Sequence, residues 1–142
     1  MPSPTVRAAS TFEITGWEES APDTAEGTTL GQATVRKVFR GDLDGESVAY
    51  VLTCHAGETP VGYVAQERVT GTLAGRSGSF VVQHGVPIGG EPDRALGTVV
   101  PGTATAELAG LHGRLVYEHD ERGARCTFDY GFSEPEGRAR AQ

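Results

Sequence analysis

The sequence contains no asparagine, and only one lysine, Lys37, beside eleven arginines. Without asparagine there is no N-glycosylation acceptor. The arginine-for-lysine bias reads as the coding bias of a GC-rich bacterial genome rather than as a binding signal. A cationic surplus is also missing. The formal charge of −7 argues against a nucleic-acid or anionic-membrane partner, since both need clustered cations. No apolar run approaches the roughly 20 residues of a membrane-spanning helix. Met1-Pro-Ser-Pro-Thr5 has no apolar signal-peptide core, so the expected compartment is the cytoplasm. The only two cysteines, Cys54 and Cys126, lie far apart, and no Cys or His pair has zinc-ligand spacing. The expectation is two buried free thiols, no metal and no cofactor.

Uninterrupted helix-forming stretches are lacking as well. Twenty glycines and eight prolines divide the 142 residues. The longest segments free of both are Thr5–Thr15 and Glu46–Ala56, so a long amphipathic helix has almost nowhere to sit. Short strands with frequent turns are the alternative, the pattern of a sandwich or barrel. The chain is long enough for one domain with a real core. All-β is the expected class.

Eight strands can be placed. Residues 1–9, rich in Pro, Ser and Ala, read as a loose lead-in to Ser10–Trp17 (STFEITGW), where Phe12 and Ile14 alternate with Glu13 and Thr15. The acidic segment Glu18–Thr29 reads as a solvated loop or a flap over one end of the fold. Leu30–Arg40 puts Ala33, Val35, Lys37 and Phe39 on one face. After the Gly41–Gly45 turn, Ser47–His55 is apolar on both faces in its middle, and is expected to be covered on both sides. Pro60–His84 is the longest hairpin signal, with its turn at Leu73-Ala-Gly-Arg-Ser-Gly78. Pro87–Pro92 breaks the ladder before a strand at Arg94–Val100. Gly102–Gly110 is the one plausible helical turn, with Thr103 or Thr105 as cap. Leu111–His119 and Ala124–Phe132 follow, the latter with Cys126, Phe128, Tyr130 and Phe132 on one face. The barrel domain is thus expected over 10–132, with a flexible tail over 133–142.

About eight strands joined mostly by hairpins can close into a single antiparallel barrel, which removes exposed edges and leaves room for side chains or one small ligand. A two-sheet sandwich is the structural competitor.

Three segments carry a resemblance: TFEITGWEE, GTLAGRSGSFVVQHG and VVPGTATAELAGLHG, in that order. They resemble an uncharacterised bacterial family of short domains, common in actinobacteria and labelled a domain of unknown function. The matching motifs fall on Thr11–Trp17, Glu67–His84 and Pro101–Gly113, and the likeness runs from about residue 10 to 132. One departure is Ala104 and Ala106, where members more often carry glycine. The family's fold is similar to the barrel of plant allene oxide cyclase, within the lipocalin-like (calycin) group. The resemblance therefore implies the barrel. Barrels of that kind include isomerases and polyketide cyclases, some promoting Diels–Alder-type closures, yet fold does not fix function.

The candidate site residues are the polar side chains a barrel would turn inward. Val61, Tyr63, Ala65, Glu67 and Val69 share one strand face, with Gln66 on the other. A lone carboxylate among apolar neighbours would be desolvated, moving Glu67 toward acid–base duty. The alternative is a structural pair with an arginine, such as Arg76 of the turn or Arg68 of a neighbouring chain. Phe80, Val82 and His84 share a face opposite Gln83, and His84 is either a proton shuttle or a satisfied strand-end residue. Tyr50, Tyr63, Tyr117 and Tyr130 could line a pocket or pack the core, and Trp17 could plug one end. The turn Gly75–Gly78 lacks the following helix of an anion site. Two functions follow: a cofactor-independent isomerase or cyclase acting on an apolar small molecule, with Glu67 or His84 moving a proton, or a non-catalytic carrier or sensor using the same cavity. Either needs a cavity above about 300 Å³. A homodimer is compatible with a barrel of this size, although no residue pattern marks an interface.

Overall fold

The computed structural model describes residues 5–87, 91 and 93–133. Within them the chain is nine strands and one 3-10 turn: β1 (Val6–Glu19), β2 (Asp23–Ala25), β3 (Thr28–Gly41), β4 (Leu43–Ala56), β5 (Thr59–Leu73), β6 (Arg76–Gly85), β7 (Arg94–Val99), β8 (Leu111–Asp120) and β9 (Gly123–Phe132), with the 3-10 turn at Ala106–Leu108 between β7 and β8. Every pairing is antiparallel, in the order β1-β9-β8-β7-β6-β5-β4-β3-β2, and β1 also pairs with β3. That last pairing closes eight strands into a barrel and leaves β2 as a short addition on β3. The expected all-β closed barrel is what forms; the sandwich is not.

Three boundaries differ from the sequence reading, the first being β4, which begins at Leu43 inside the expected Gly41–Gly45 turn and not at Ser47. β1 begins at Val6, because Val6–Phe12 pair with Phe12's partner Ala124 through Tyr130 of β9. Glu18–Thr29 is not a plain loop. β1 runs to Glu19, and β2 folds back on β3 across Glu26-Gly27, whose φ angles of 55° and 82° make a two-residue hairpin turn. The predicted break at Pro87–Pro92 and the predicted tail fall largely outside the described residues.

The interior is divided by side-chain size. At one end Phe39, Phe80, Phe128, Leu43, Leu73 and Leu108 are fully buried and fill the lumen. Toward the other end the inward residues of β3, β4 and β5 are small: Ala33, Val35, Ala49, Val51 and Ala65. Eight strands enclose a lumen that only large side chains can fill, so this wall leaves space. β4 is not covered on both faces. Its outward residues Tyr50 and Leu52 are 58% and 54% exposed, since the barrel wall is one layer thick there.

The segment after β7 works differently from the predicted helix cap. β7 pairs with β6 only over Val82–Gly85, so β6 would present unpaired N–H groups further along. The side chains of Thr103, Thr105 and Glu107 accept from the backbone N–H of Val81, Ser79 and Ser77, at 3.0, 3.0 and 2.9 Å. The i, i+2, i+4 spacing imitates a strand with side-chain oxygens and satisfies the orphan donors. The Thr105 hydroxyl makes no cap bond to the 3-10 turn. Leu108, wholly buried, closes this end of the barrel.

Candidate functional site

The unfilled half of the lumen is a cavity of about 780 Å³, within the range of sites that hold small ligands. Its walls are largely apolar, from Ala33, Val35, Ala49 and Val51, and its mouth is bounded by exposed residues including Trp17, Pro22 and Val61. Trp17 reaches the mouth because of a bulge in β1. The register steps between Ile14 and Gly16, which sets Trp17 opposite the inward Val35. Strict alternation from Ile14 would have turned it outward. At 52% exposure it lines the rim rather than plugging it, with its indole N–H donating to Glu19 at 2.7 Å.

Polar groups converge where the cavity meets the packed half. Glu67 on β5 is completely buried. Its Oε1 accepts from Lys37 Nζ at 3.2 Å, His84 Nε2 at 2.9 Å and the Tyr117 hydroxyl at 3.2 Å, while Oε2 accepts from the Ser47 hydroxyl. Each partner comes from a different strand: Lys37 from β3, Ser47 from β4, His84 from β6, Tyr117 from β8. Inward alternation delivers them, with Ala49 opposite Glu67 and His84 opposite Ala65. Burial alone would push the Glu67 carboxyl up. The His84 hydrogen bond, the Lys37 charge, the His84 charge and the Ser47 bond outweigh it and hold the group at about 2, below its ordinary 4.5. The carboxylate is therefore ionised.

An ionised Glu67 accepts only, so His84 Nε2 carries a hydrogen toward it. In the neutral imidazole Nδ1 then accepts from the Tyr63 hydroxyl, 2.8 Å away. The result is a chain from Glu67 through His84 to Tyr63. Tyr63, His84, Lys37 and Tyr117 line the cavity, whereas Glu67 lies behind them. Burial and the Glu67 charge raise the Tyr63 phenol well above its ordinary value, and Tyr117 likewise. Lys37 Nζ also lies over the Phe12 ring, 4.9 Å from its centroid, and the Tyr117 ring, at 4.6 Å. Its one hydrogen bond among the described residues is to Glu67, which leaves ammonium hydrogens for a ligand.

Of the side chains singled out in the sequence, Glu67, His84, Tyr63 and Tyr117 meet at this floor, and Trp17 stands at the mouth. Three point outward. Tyr50 is solvent-exposed, and Gln66 and Gln83 form a 3.0 Å pair on the outer surface, because they alternate with inward Ala49, Glu67 and Val82. Tyr130 packs against Phe128 in the filled half, ring centroids 5.4 Å apart. Within the chain, Arg76 is not the partner of Glu67. Arg76 stacks on Phe132 at 4.0 Å. The residue the sequence reading missed is Lys37. Its signal was present: the chain's lone lysine stands in register with inward Ala33, Val35 and Phe39. Cys126 is buried, its thiol pushed up to about 12 by burial and by Glu67, while Cys54 is only half-buried. Among the described residues, no three His, Cys, Asp or Glu side chains gather as a metal site, and no helix is long and apolar enough to cross a membrane.

A family model described as protein of unknown function (DUF3224) matches residues 8–131. A solved structure titled as a protein of unknown function from that family, from Shewanella oneidensis MR-1, superposes with a TM-score of 0.77 at 28% identity, covering 92% of this chain and 99% of that one. No curated protein matches the chain.

Proposed function

The chain belongs to the DUF3224 family, and we propose that it is a cofactor-independent isomerase or cyclase that encloses one apolar small molecule and moves a proton on it. The observation that carries this reading is the Glu67–His84–Tyr63 chain ending at the floor of an apolar-walled cavity. A carrier needs only the cavity. It has no use for an ionised carboxylate buried behind a histidine and a tyrosine, an arrangement that costs several kcal/mol of desolvation.

The chemistry differs from the expectation of Glu67 as the acid or base. Held ionised by four donors and screened from the lumen, Glu67 is a positioning residue. It fixes the His84 tautomer and stabilises the imidazolium that forms when His84 accepts a proton. Tyr63 is the group that meets the substrate. Its raised pKa disfavours a free phenolate, so its oxygen takes a substrate proton as its own passes to His84 Nδ1. The positive charge at Lys37 stabilises negative charge developing on the substrate beside it. The apolar walls keep water out and fold the substrate's chain.

The test begins with the ligand. An organic extract of purified protein is compared by mass spectrometry with an extract of Val51→Trp, whose indole fills the cavity. An apolar metabolite enriched in the first supports the reading. That metabolite, incubated with protein in heavy water, should gain deuterium at one carbon or change its skeleton. Unaltered binding without exchange, in wild type and Tyr63→Phe alike, would leave a carrier.

A further inference from the structure

The only lysine of the chain stands at the end of an apolar cavity, 8% exposed, with a carboxylate counter-ion at 3.2 Å. A surface role would be served by any of the eleven arginines. An arginine at position 37 would also pair with Glu67, and in a fork geometry that binds carboxylates better. What an arginine cannot do is act as a nucleophile. From this we propose that Lys37 is a carbonyl-capturing residue, and that the ligand of the cavity is an apolar aldehyde or ketone held as an imine. The inference rests on the cavity reading above and adds the substrate class.

The site suits each step. The ammonium lends one proton to the Tyr63–His84 pair that lines the same cavity, and the nitrogen lone pair attacks the carbonyl carbon. The carbonyl π pair moves to oxygen, which takes a proton from the nitrogen. The borrowed proton returns to that hydroxyl, the C–O bond breaks, water leaves, and the nitrogen lone pair closes the C=N bond. The three ammonium hydrogens end as one on the iminium nitrogen and two on the water. Charge is unchanged throughout, so Glu67 neutralises the iminium as it neutralised the ammonium. The Phe12 and Tyr117 rings beside Nζ accept a delocalised cation equally well. An iminium also acidifies the adjacent C–H, which gives the Tyr63–His84 pair a proton to remove.

Having one lysine makes the experiment clean. Full-length protein without a lysine-bearing tag is incubated with decanal and sodium cyanoborohydride, then mapped by peptide mass spectrometry. The expected result is one decyl group on Lys37, suppressed by excess 1-decanol, which fills the cavity but forms no imine. Lys37→Arg should lose the adduct, since no other lysine is present. Label confined to the N-terminal amine, or a Lys37 label indifferent to 1-decanol, would overturn the proposal. If 1-decanol displaces a bound apolar dye from wild type while decanal leaves Lys37 unlabelled, the imine falls and the cavity reading stands. If neither compound displaces dye, both fall.

Discussion

Lys37 Nζ and Glu67 Oε1 stand 3.2 Å apart across the barrel lumen, on β3 and β5, with only Lys37 reaching the cavity. One partner faces the ligand and the other faces the core. That asymmetry decides what each substitution in the site should do.

Removing the charge of Glu67 strands its partners. In Glu67→Gln the Lys37 ammonium stays buried with no counter-ion, and His84 faces a neutral amide in place of a carboxylate. Breaking a buried pair from one side destabilises by about 3 kcal/mol. Urea unfolding should show this loss with an unchanged m-value. A fall under about 0.5 kcal/mol, the usual scale of surface changes, would show that the pair is solvated in solution.

The same carboxylate sets an acid limit. Its pKa is about 2 in the folded protein against an ordinary 4.5, so the folded value is depressed. Its contribution is then complete above pH 4.5 and is lost as pH falls toward 2, about 3 kcal/mol in all. Thermal melts should therefore fall steeply across that window. Glu67→Gln should start lower and lose less over the same window. Parallel curves for the two proteins would assign the acid sensitivity elsewhere.

The cavity exists because its wall is small. Val51 on β4 lines it, and a tryptophan there occupies the space without touching the Phe39–Phe80–Phe128 half. Val51→Trp should weaken binding of an apolar fluorescent dye at least tenfold, about 1.4 kcal/mol, with the far-ultraviolet dichroism of the barrel intact. Unchanged dye binding would place the dye on the exposed Tyr50–Leu52 surface instead.

Tyr63 separates chemistry from binding. Tyr63→Phe keeps the ring beside His84 and deletes one hydroxyl. With the co-purifying ligand as substrate, deuterium exchange should fall by a factor of about 100 or more, the typical share of a positioned acid–base group, while affinity changes little. Equal loss of binding and exchange would make Tyr63 a ligand anchor rather than a proton carrier.

Much of this was legible in the sequence, for physical reasons that also mark where legibility stopped. Strand alternation gave the inward sets Ala33–Val35–Lys37–Phe39, Tyr63–Ala65–Glu67 and Phe80–Val82–His84, because period two survives wherever no bulge intervenes. It failed at Trp17, where the β1 bulge turns the indole inward, and a bulge leaves little trace in composition. β4 misled because Tyr50 and Leu52 look like core yet lie on the outer wall. Glu67 was found as a position, and the direction of its pKa shift was misjudged. Its charge state depends on His84, Lys37 and Ser47, from three other strands 17 to 30 residues away, and no local pattern reports that. Thr103 and Thr105 were misread for a similar reason. A threonine before a short helical turn looks like a cap, and only the shortness of β7 reveals a bare edge needing acceptors.

That edge supplies the last expectation. Thr105 Oγ1 accepts from Ser79 N at 3.0 Å and bonds the Ser79 hydroxyl at 2.7 Å, while the Thr105 N–H donates to Ser79 O at 2.8 Å. Thr105→Val keeps the shape and the backbone bond but leaves the Ser79 N–H without its acceptor. The loss should be about 1 kcal/mol. It should also have a local signature, because the β6 edge would open without global unfolding. Hydrogen exchange at Ser79 should quicken about fivefold, the factor that a loss of about 1 kcal/mol represents, with Val81 slow under the Thr103 bond. If Ser79 and the whole of β6 quicken together, the segment from Thr103 to Glu107 clamps the strand as one unit rather than bond by bond.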